Sequence, residues 1–359
     1  MLQDLSLERF LIPPDEYVAC PNVEALAQVS DASKSGPAGL GFHPELGWFV
    51  LCSGQGPFLA WSQRGDPSKW TGGLRKIRPM WPGKIHADDW FSIGAAHTVC
   101  QDYSRSQDDP KFGRILAAVS DGCSGSPDSD FGSRFIIMSA LWETINGNVP
   151  FSPKELAAGA DTIGYSLFQS VLKRSALDAT LLSAVALDDG TVQAQAFGDG
   201  AIFVRRRDGS TEFYEIDHGG VPAYPSYLLV TPNVARYKAE HADKLRVKAT
   251  VDGVFIAEWE ISSANPSDWP EFGFNVDPAD ADLVVVMTDG IQSFQDMTGL
   301  SPKAVLATDV VPKIVGYKNM TGAFVGRRLH AFETKECLKL NWRHYDDFAV
   351  AALWMEETK

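Results

Sequence analysis

Cysteine is scarce in this chain: five among 359 residues, at Cys20, Cys52, Cys100, Cys123 and Cys337. An odd, scattered set gives neither a disulfide framework nor a Cys-x-x-Cys spacing for zinc, so reduced thiols in a cytoplasmic protein are expected. Positive charge is also short. Lys and Arg total 32 against 46 Asp and Glu, a formal charge of −14. Such a surface repels nucleic acid and anionic membranes at long range. It does not exclude an anionic substrate, because bound cations can reverse the local field. No apolar run approaches the roughly 18 residues of a membrane span. The first residues, Met1 to Ser6, have no basic region followed by an apolar run, so a secretory leader is not expected. Internal repeats and low-complexity tracts are missing as well.

What is present is ordinary for a globular protein: 45% hydrophobic and 22% charged residues. The length suits one large domain or two modest ones, with a core that needs no staples. Residues 1 to 85 differ from the rest in being rich in Gly, Pro and Trp. Short apolar runs at Trp48–Cys52 and Phe58–Trp61 flank Gly54, Gly56 and Pro57, which reads as strand, turn, strand. Their large apolar residues are too few for an independent core. The expectation is an N-terminal extension, 1–85, packed on a domain spanning 86–359.

From residue 86 the pattern sharpens. The run Arg114–Ser120 stops at Asp121-Gly122, as a buried strand entering a turn would. Ser129 or Asp130 is placed to cap a helix through Leu141 and Trp142. A second helix, about 153 to 174, opens at Pro153 with Glu155 in its first turn. An antiparallel series follows: Ala179–Leu187, the turn pair Asp189-Gly190, Val192–Phe197, and Ala201–Arg205. Further strands are expected at Asp282–Met287 and Phe348–Trp354. Arg205 to Arg207 reads as a solvated turn closing a strand. Strands outnumber helices and short turns join them, so the fold class is α+β rather than doubly wound.

Three places share one design, an apolar strand meeting an acidic residue at its end: Ser120-Asp121-Gly122, Thr288-Asp289-Gly290, and Asp346-Asp347 before the final strand. Carboxylates at strand ends sit on rigid elements and can converge at one sheet edge. Hard cations such as Mg²⁺ and Mn²⁺ take such oxygen ligands. A glycine after the aspartate lets its backbone carbonyl approach a metal without a Cβ in the way. One Asp-Gly pair alone is an everyday turn; two after Val-containing strands, with an Asp-Asp before a third, point to a metal site.

The ordered set Gln101-Asp102, Val119-Ser120-Asp121-Gly122, Ala196-Phe197-Gly198-Asp199, Val286-Met287-Thr288-Asp289-Gly290 and Asp346-Asp347 resembles the PPM-type, or type 2C, protein serine/threonine phosphatases. Gly94-Ala95-Ala96-His97, followed by Cys100-Gln101-Asp102, is similar to the opening motif of a divergent bacterial branch. The resemblance spans about 90 to 356. It implies a four-layer αββα sandwich, two stacked, mainly antiparallel sheets flanked by helices. It also implies two Mn²⁺ or Mg²⁺ ions. Asp121 would bridge both, with the Gly122 carbonyl on one; Asp289 and Asp347 would ligate the other. Asp102 would act close by, directly or through water, and Asp199 would hold a third, weaker metal. His97 falls where relatives place an arginine that binds substrate phosphate. The implied reaction is hydrolysis of phosphoserine or phosphothreonine on proteins by a metal-bridging water, in a monomer opposing a Ser/Thr kinase.

Three departures bear on that reading. Cys123 stands where many eukaryotic relatives have a histidine that could protonate the leaving group. Phe348 stands where asparagine is usual, and Gly200 where a Ser-Arg pair begins. They keep two alternatives open: a non-catalytic relative that binds phosphoprotein, and a phosphatase for a small metabolite. The aromatic segment Pro222–Tyr227 falls where the family carries a variable flap beside its active site.

Overall fold

The computed structural model describes residues 84–108, 114–168, 172–187, 190–220, 222–241, 244–262 and 269–357, together with four strands nearer the N-terminus. The chain divides into two units: 1–84 with short segments 188–190 and 357–359, and 85–187 with 191–356. In the first unit, β1 (Val18–Ala19), β2 (Pro37–His43), β3 (Gly47–Cys52) and β4 (Phe58–Gln63) form an antiparallel sheet in sequential order. Strands β3 and β4 pair with Cys52 opposite Phe58, where strand, turn, strand was read. The turn residues Gly54, Gly56 and Pro57 lie outside the described residues.

The second unit carries β5 (Ile85–Ser92), β6 (Tyr103–Gln107), β7 (Leu116–Ser120), α1 (Ser129–Asn146), α2 (Pro153–Phe168), β8 (Leu181–Ala186), β9 (Val192–Phe197), β10 (Gly200–Arg206) and β11 (Thr211–Asp217). Then come α3 (Thr231–His241), β12 (Lys244–Val251), β13 (Val254–Ser262), β14 (Phe272–Val276), β15 (Ala281–Met287), β16 (Phe294–Asp296), β17 (Lys303–Ala304), α4 (Ala307–Ile314), α5 (Phe324–Ala331), β18 (Trp342–His344) and β19 (Phe348–Met355). Two sheets dominate, a seven-stranded one in the order β13-β12-β11-β10-β15-β19-β5 and a five-stranded one in the order β14-β9-β8-β7-β6. Every strand pair in them is antiparallel.

Side-chain alternation along the strands sorts the layers. In β15, Val284 and Val286 face a core shared with Ala117 and Val119 of β7, Leu182 of β8 and Ala351 of β19. The residues between them, Leu283, Val285 and Met287, face a second core with Val310 and Ile314 of α4 and Val325 and Leu329 of α5. On the other side, Leu116 and Ala118 of β7 pack with Ile136, Ile137 and Ala140 of α1 and Leu156 of α2. The central strands read as unbroken apolar runs because both of their faces are covered. Two sheets stacked face to face with helices outside give the four-layer αββα sandwich.

Details differ from expectation. Helix α1 starts at Ser129, but its cap position is Asp128, in the left-handed region at φ 59° and with no side-chain cap bond. Helix α2 is described as far as Phe168, and Arg174–Leu177 is a separate 3₁₀ turn, so the helix does not run to 174. The Arg205–Arg207 run is no solvated turn. Arg205 grips Asp282 through two bonds of 2.8 and 2.9 Å, Arg206 grips Glu212 likewise, and Arg207 donates to the Pro278 and Met355 carbonyls. Fork-shaped guanidinium groups suit such paired acceptors, and here they tie neighbouring chain segments together.

Candidate active site

Antiparallel pairing puts the end of one strand beside the start of the next, and this assembles the aspartates. In the five-stranded sheet, Ser120 at the end of β7 pairs with Tyr103 at the start of β6. Asp121 and Asp102 are therefore neighbours. In the seven-stranded sheet, Met287 at the end of β15 pairs with both Val350 of β19 and Ala201 of β10. Asp289, Asp347 and Asp199 thus share that sheet's edge. Two hydrogen bonds join the edges: Thr288 Oγ1 donates to Asp102 Oδ2 at 2.6 Å, and the Gln101 amide donates to Asp347 Oδ2 at 2.6 Å. Thr288 Oγ1 in turn accepts from the Ala349 amide at 2.9 Å, so its hydroxyl proton is committed to Asp102.

Backbone contacts hold the acidic residues firmly. The Asp121 amide donates to Thr180 Oγ1 at 3.0 Å, and the Asp121 carbonyl accepts from the Thr180 amide at 2.8 Å. The glycines that follow the aspartates are there for space. A Cβ on Gly122 would lie 2.5 Å from the Ser129 carbonyl oxygen, and one on Gly290 would collide with the Asp347 carbonyl. Neither glycine has positive φ, so close approach of backbone rather than turn conformation requires them.

Asp347 is buried, at 2% exposure, and richly solvated by the protein itself. Its Oδ1 accepts from the Gly94 amide at 2.7 Å; its Oδ2 accepts from Gln101 and lies 2.9 Å from His97 Nδ1. The other ring nitrogen of His97, Nε2, is 3.3 Å from Asp346 Oδ1. Both nitrogens of His97 therefore face carboxylates, a position the sequence assigned to phosphate binding.

The remaining acids are electrostatically loaded. Burial, with Asp289 and Asp347 adding repulsion, holds Asp102 well above the usual carboxylate range. Asp121 is raised well above the usual range by burial and by the neighbouring charges of Asp102 and Asp289. Asp289 is pushed up to about 6 by burial and by Asp346. Asp199 is pushed up to about 8 by burial and by Asp289, and its Oδ1 accepts from the His218 amide at 2.8 Å. Crowded like charges out of water raise one another's proton affinity. Among the described residues, no three His, Cys, Asp or Glu side chains already form a metal cage.

Two residues that depart from the type 2C pattern have clear surroundings. Phe348 is buried in the second core, edge-on to Phe294 at 5.7 Å between ring centres. Cys123 is partly exposed, and its amide donates to the Asp178 carbonyl at 2.8 Å; the pKa of the Tyr224 hydroxyl is raised by burial and by Cys123 and Asp121 nearby. The Pro222–Tyr227 segment thus stands beside Asp121. Sequence reading singled out neither Thr288 nor Asp178; Thr288 had a signal, since it lies inside the strand-end motif that carries Asp289.

No helix among the described residues is long and apolar enough to cross a membrane. Comparison with curated proteins gives no match. Among solved structures, the chain is similar to the phosphatase domain with a regulatory-domain fragment of SpoIIE from Bacillus subtilis, at 15% identity and TM-score 0.41, over 77% of this chain and 65% of that one. It is also similar to the serine/threonine phosphatase of S. agalactiae, at 14% identity and TM-score 0.43, over 76% of this chain and 100% of the other. A third likeness is to a serine/threonine phosphatase of Staphylococcus aureus, at 12% identity and TM-score 0.44, over 77% and 97% of the two chains. Residues 94–314, more than half of the sequence, match the family described as Protein phosphatase 2C, and the chain belongs to that family.

Proposed function

We propose that this protein hydrolyses phosphoserine and phosphothreonine monoesters on proteins, with two divalent cations, Mn²⁺ or Mg²⁺, held by its strand-end aspartates. The observation that carries the reading is the meeting of Asp102, Asp121 and Asp289 in mutual repulsion. Like charges withdrawn from water are costly side by side unless a cation is shared between them. The donor set is all oxygen, which fits a hard cation rather than zinc. In this assignment Asp121 and the Gly122 carbonyl would be among the groups that hold the cations. Asp289 and Asp347 would hold them too, Asp102 would support them directly or through water, and Asp199 would hold a third, weaker cation.

Bound cations lower the pKa of a shared water and screen the charge of the phosphate. The chain's own residues orient and support. Thr288 fixes the rotation of Asp102, and the Gly94 and Gln101 amides fix that of Asp347. Outer partners of this kind commonly decide how well a ligand is aimed. With both ring nitrogens against carboxylates, His97 serves Asp346 and Asp347 in this reading, not the phosphate. No covalent intermediate on the protein is needed. The setting proposed for the reaction is a cytoplasmic, bacterial, monomeric enzyme acting opposite a Ser/Thr kinase.

The test is hydrolysis of p-nitrophenyl phosphate and of a phosphothreonine peptide, with Mn²⁺ or Mg²⁺ and then with a chelator. Turnover of both esters with metal, lost on chelation, is expected. Full activity in metal-free protein would overturn the reading. Turnover of the small ester alone would favour a metabolite phosphatase. Turnover of neither would favour a non-catalytic phosphoprotein binder, the alternative to which Cys123, in the place of a leaving-group histidine, gives weight.

A further inference from the structure

Asp178 is a partly buried carboxylate that the proposed chemistry does not use, and its surroundings are unusually specific. Its Oδ2 accepts from Ser126 Oγ at 3.1 Å, and its Oδ1 accepts from Ser226 Oγ at 2.6 Å. Ser126 lies on the loop that leaves Asp121 and Gly122. Ser226 lies on the short helix Pro225–Leu229, in the segment that brings Tyr224 to Cys123. The backbone of Asp178 is part of the same shelf. Its carbonyl accepts from the Cys123 amide at 2.8 Å, and the next residue, Ala179, bridges to Gly122. One carboxylate therefore joins the loop bearing Asp121 to the wall beside it.

That wall is built to stand still. Ala223 is fully buried and Tyr224 is 5% exposed. Tyr237 and Trp269 pack against Ala223, and Trp269 Nε1 donates to the Ala223 carbonyl at 2.8 Å. Packing from behind sets the wall's position against α3, while Asp178 sets its distance from the loop in front.

We propose that Asp178 is a positioning residue that keys the Pro222–Val230 wall to the Asp121 loop, and so sets the site for a phosphate carried on a peptide. The role rests on the phosphatase reading above. A p-nitrophenyl ester offers the wall little beyond its phosphate. A peptide must lie along the wall, so moving the wall costs the peptide more. A hydrogen bond to a charged acceptor is worth enough that losing it shifts binding about tenfold.

The experiment compares wild type, Asp178→Ala, Ser226→Ala and the double variant, in the full chain with saturating Mn²⁺. KM for a phosphothreonine peptide should rise about tenfold in Asp178→Ala and at least fivefold more than KM for p-nitrophenyl phosphate. Because Ser226 acts through Asp178, the double variant should be no worse than Asp178→Ala alone. Native-state hydrogen exchange gives a second readout independent of turnover. The Tyr227 and Val230 amides, which bond to the Tyr224 and Tyr227 carbonyls, should exchange at least fivefold faster in both single variants. Unchanged exchange there, equal losses on the two esters, or additive losses in the double variant would each overturn the proposal. If wild type hydrolyses neither ester, the phosphatase reading falls and the specificity role falls with it; the exchange rates still decide whether Asp178 is the joint.

Discussion

Asp121 is held by its backbone, not by its carboxylate: amide and carbonyl both bond Thr180, and the loop beyond it rests on Asp178. Removing the side chain should leave the fold largely intact while taking away the residue proposed to bridge two cations. Asp121→Ala and Asp289→Ala are each expected to bring kcat below a tenth of wild type, a loss above about 1.4 kcal/mol in activation free energy. Asp199→Ala should be milder at millimolar Mn²⁺, because Asp199 sits on a Gly198–Gly200 turn without the family's usual partners. Steady-state kinetics with circular dichroism checks both statements; an equal loss at Asp199 would reverse the ranking. The aspartates were legible in sequence because each ends an apolar strand. Thr288 was legible only as a member of the motif that carries Asp289, and Asp178 was not legible, because a lone hydroxyl or carboxylate shows its role only once another strand or loop arrives beside it.

At the scale of elements, the strands that build the sandwich were legible where both faces are covered. The runs at β7, β15 and β19 are unbroken apolar stretches, and β8 and β9 are joined by a glycine at φ 84°. Strands β12 and β13 went unread although Leu245, Val247 and Ala249 alternate with charged residues or Thr, the mark of a strand with one face in water. The helix expected to reach 174 does not, because Arg174–Leu177 is a separate 3₁₀ turn. What the elements achieve together is a strained edge: strand ends that must hold acidic side chains close. Metal should therefore stabilise this chain. At free Mn²⁺ about a hundredfold above Kd, linkage gives about 2.7 kcal/mol and a melting temperature several degrees higher. Asp121→Asn should lose that rise while melting no lower than the metal-free wild type, since it relieves repulsion. Differential scanning calorimetry with and without Mn²⁺ reads both, and an unchanged Mn²⁺ response in the variant would remove Asp121 from the ligand set.

At the scale of the whole molecule, the first unit contains a sheet of four strands, one of them two residues long. A sheet buries an apolar face only against another layer, and a region under about 85 residues is marginal as an independent domain. We propose that residues 1–85 rest on the phosphatase domain as added strands or a covering lobe, and do not swing as a separate module. The runs at Trp48–Cys52 and Phe58–Trp61 would then find their cover there. Two consequences can be measured. Limited proteolysis should give no clean, early cut near residue 85 that releases two folded pieces. On this proposal a chain trimmed to 86–359 should melt lower than the full chain or aggregate, because trimming would expose apolar surface. Light scattering and thermal melts of the trimmed chain read that outcome. If protease instead releases a soluble C-terminal fragment that keeps full activity and the full-length melting temperature, the N-terminal region is a detachable domain. Its role would then have to be sought in binding, not in supporting the phosphatase fold.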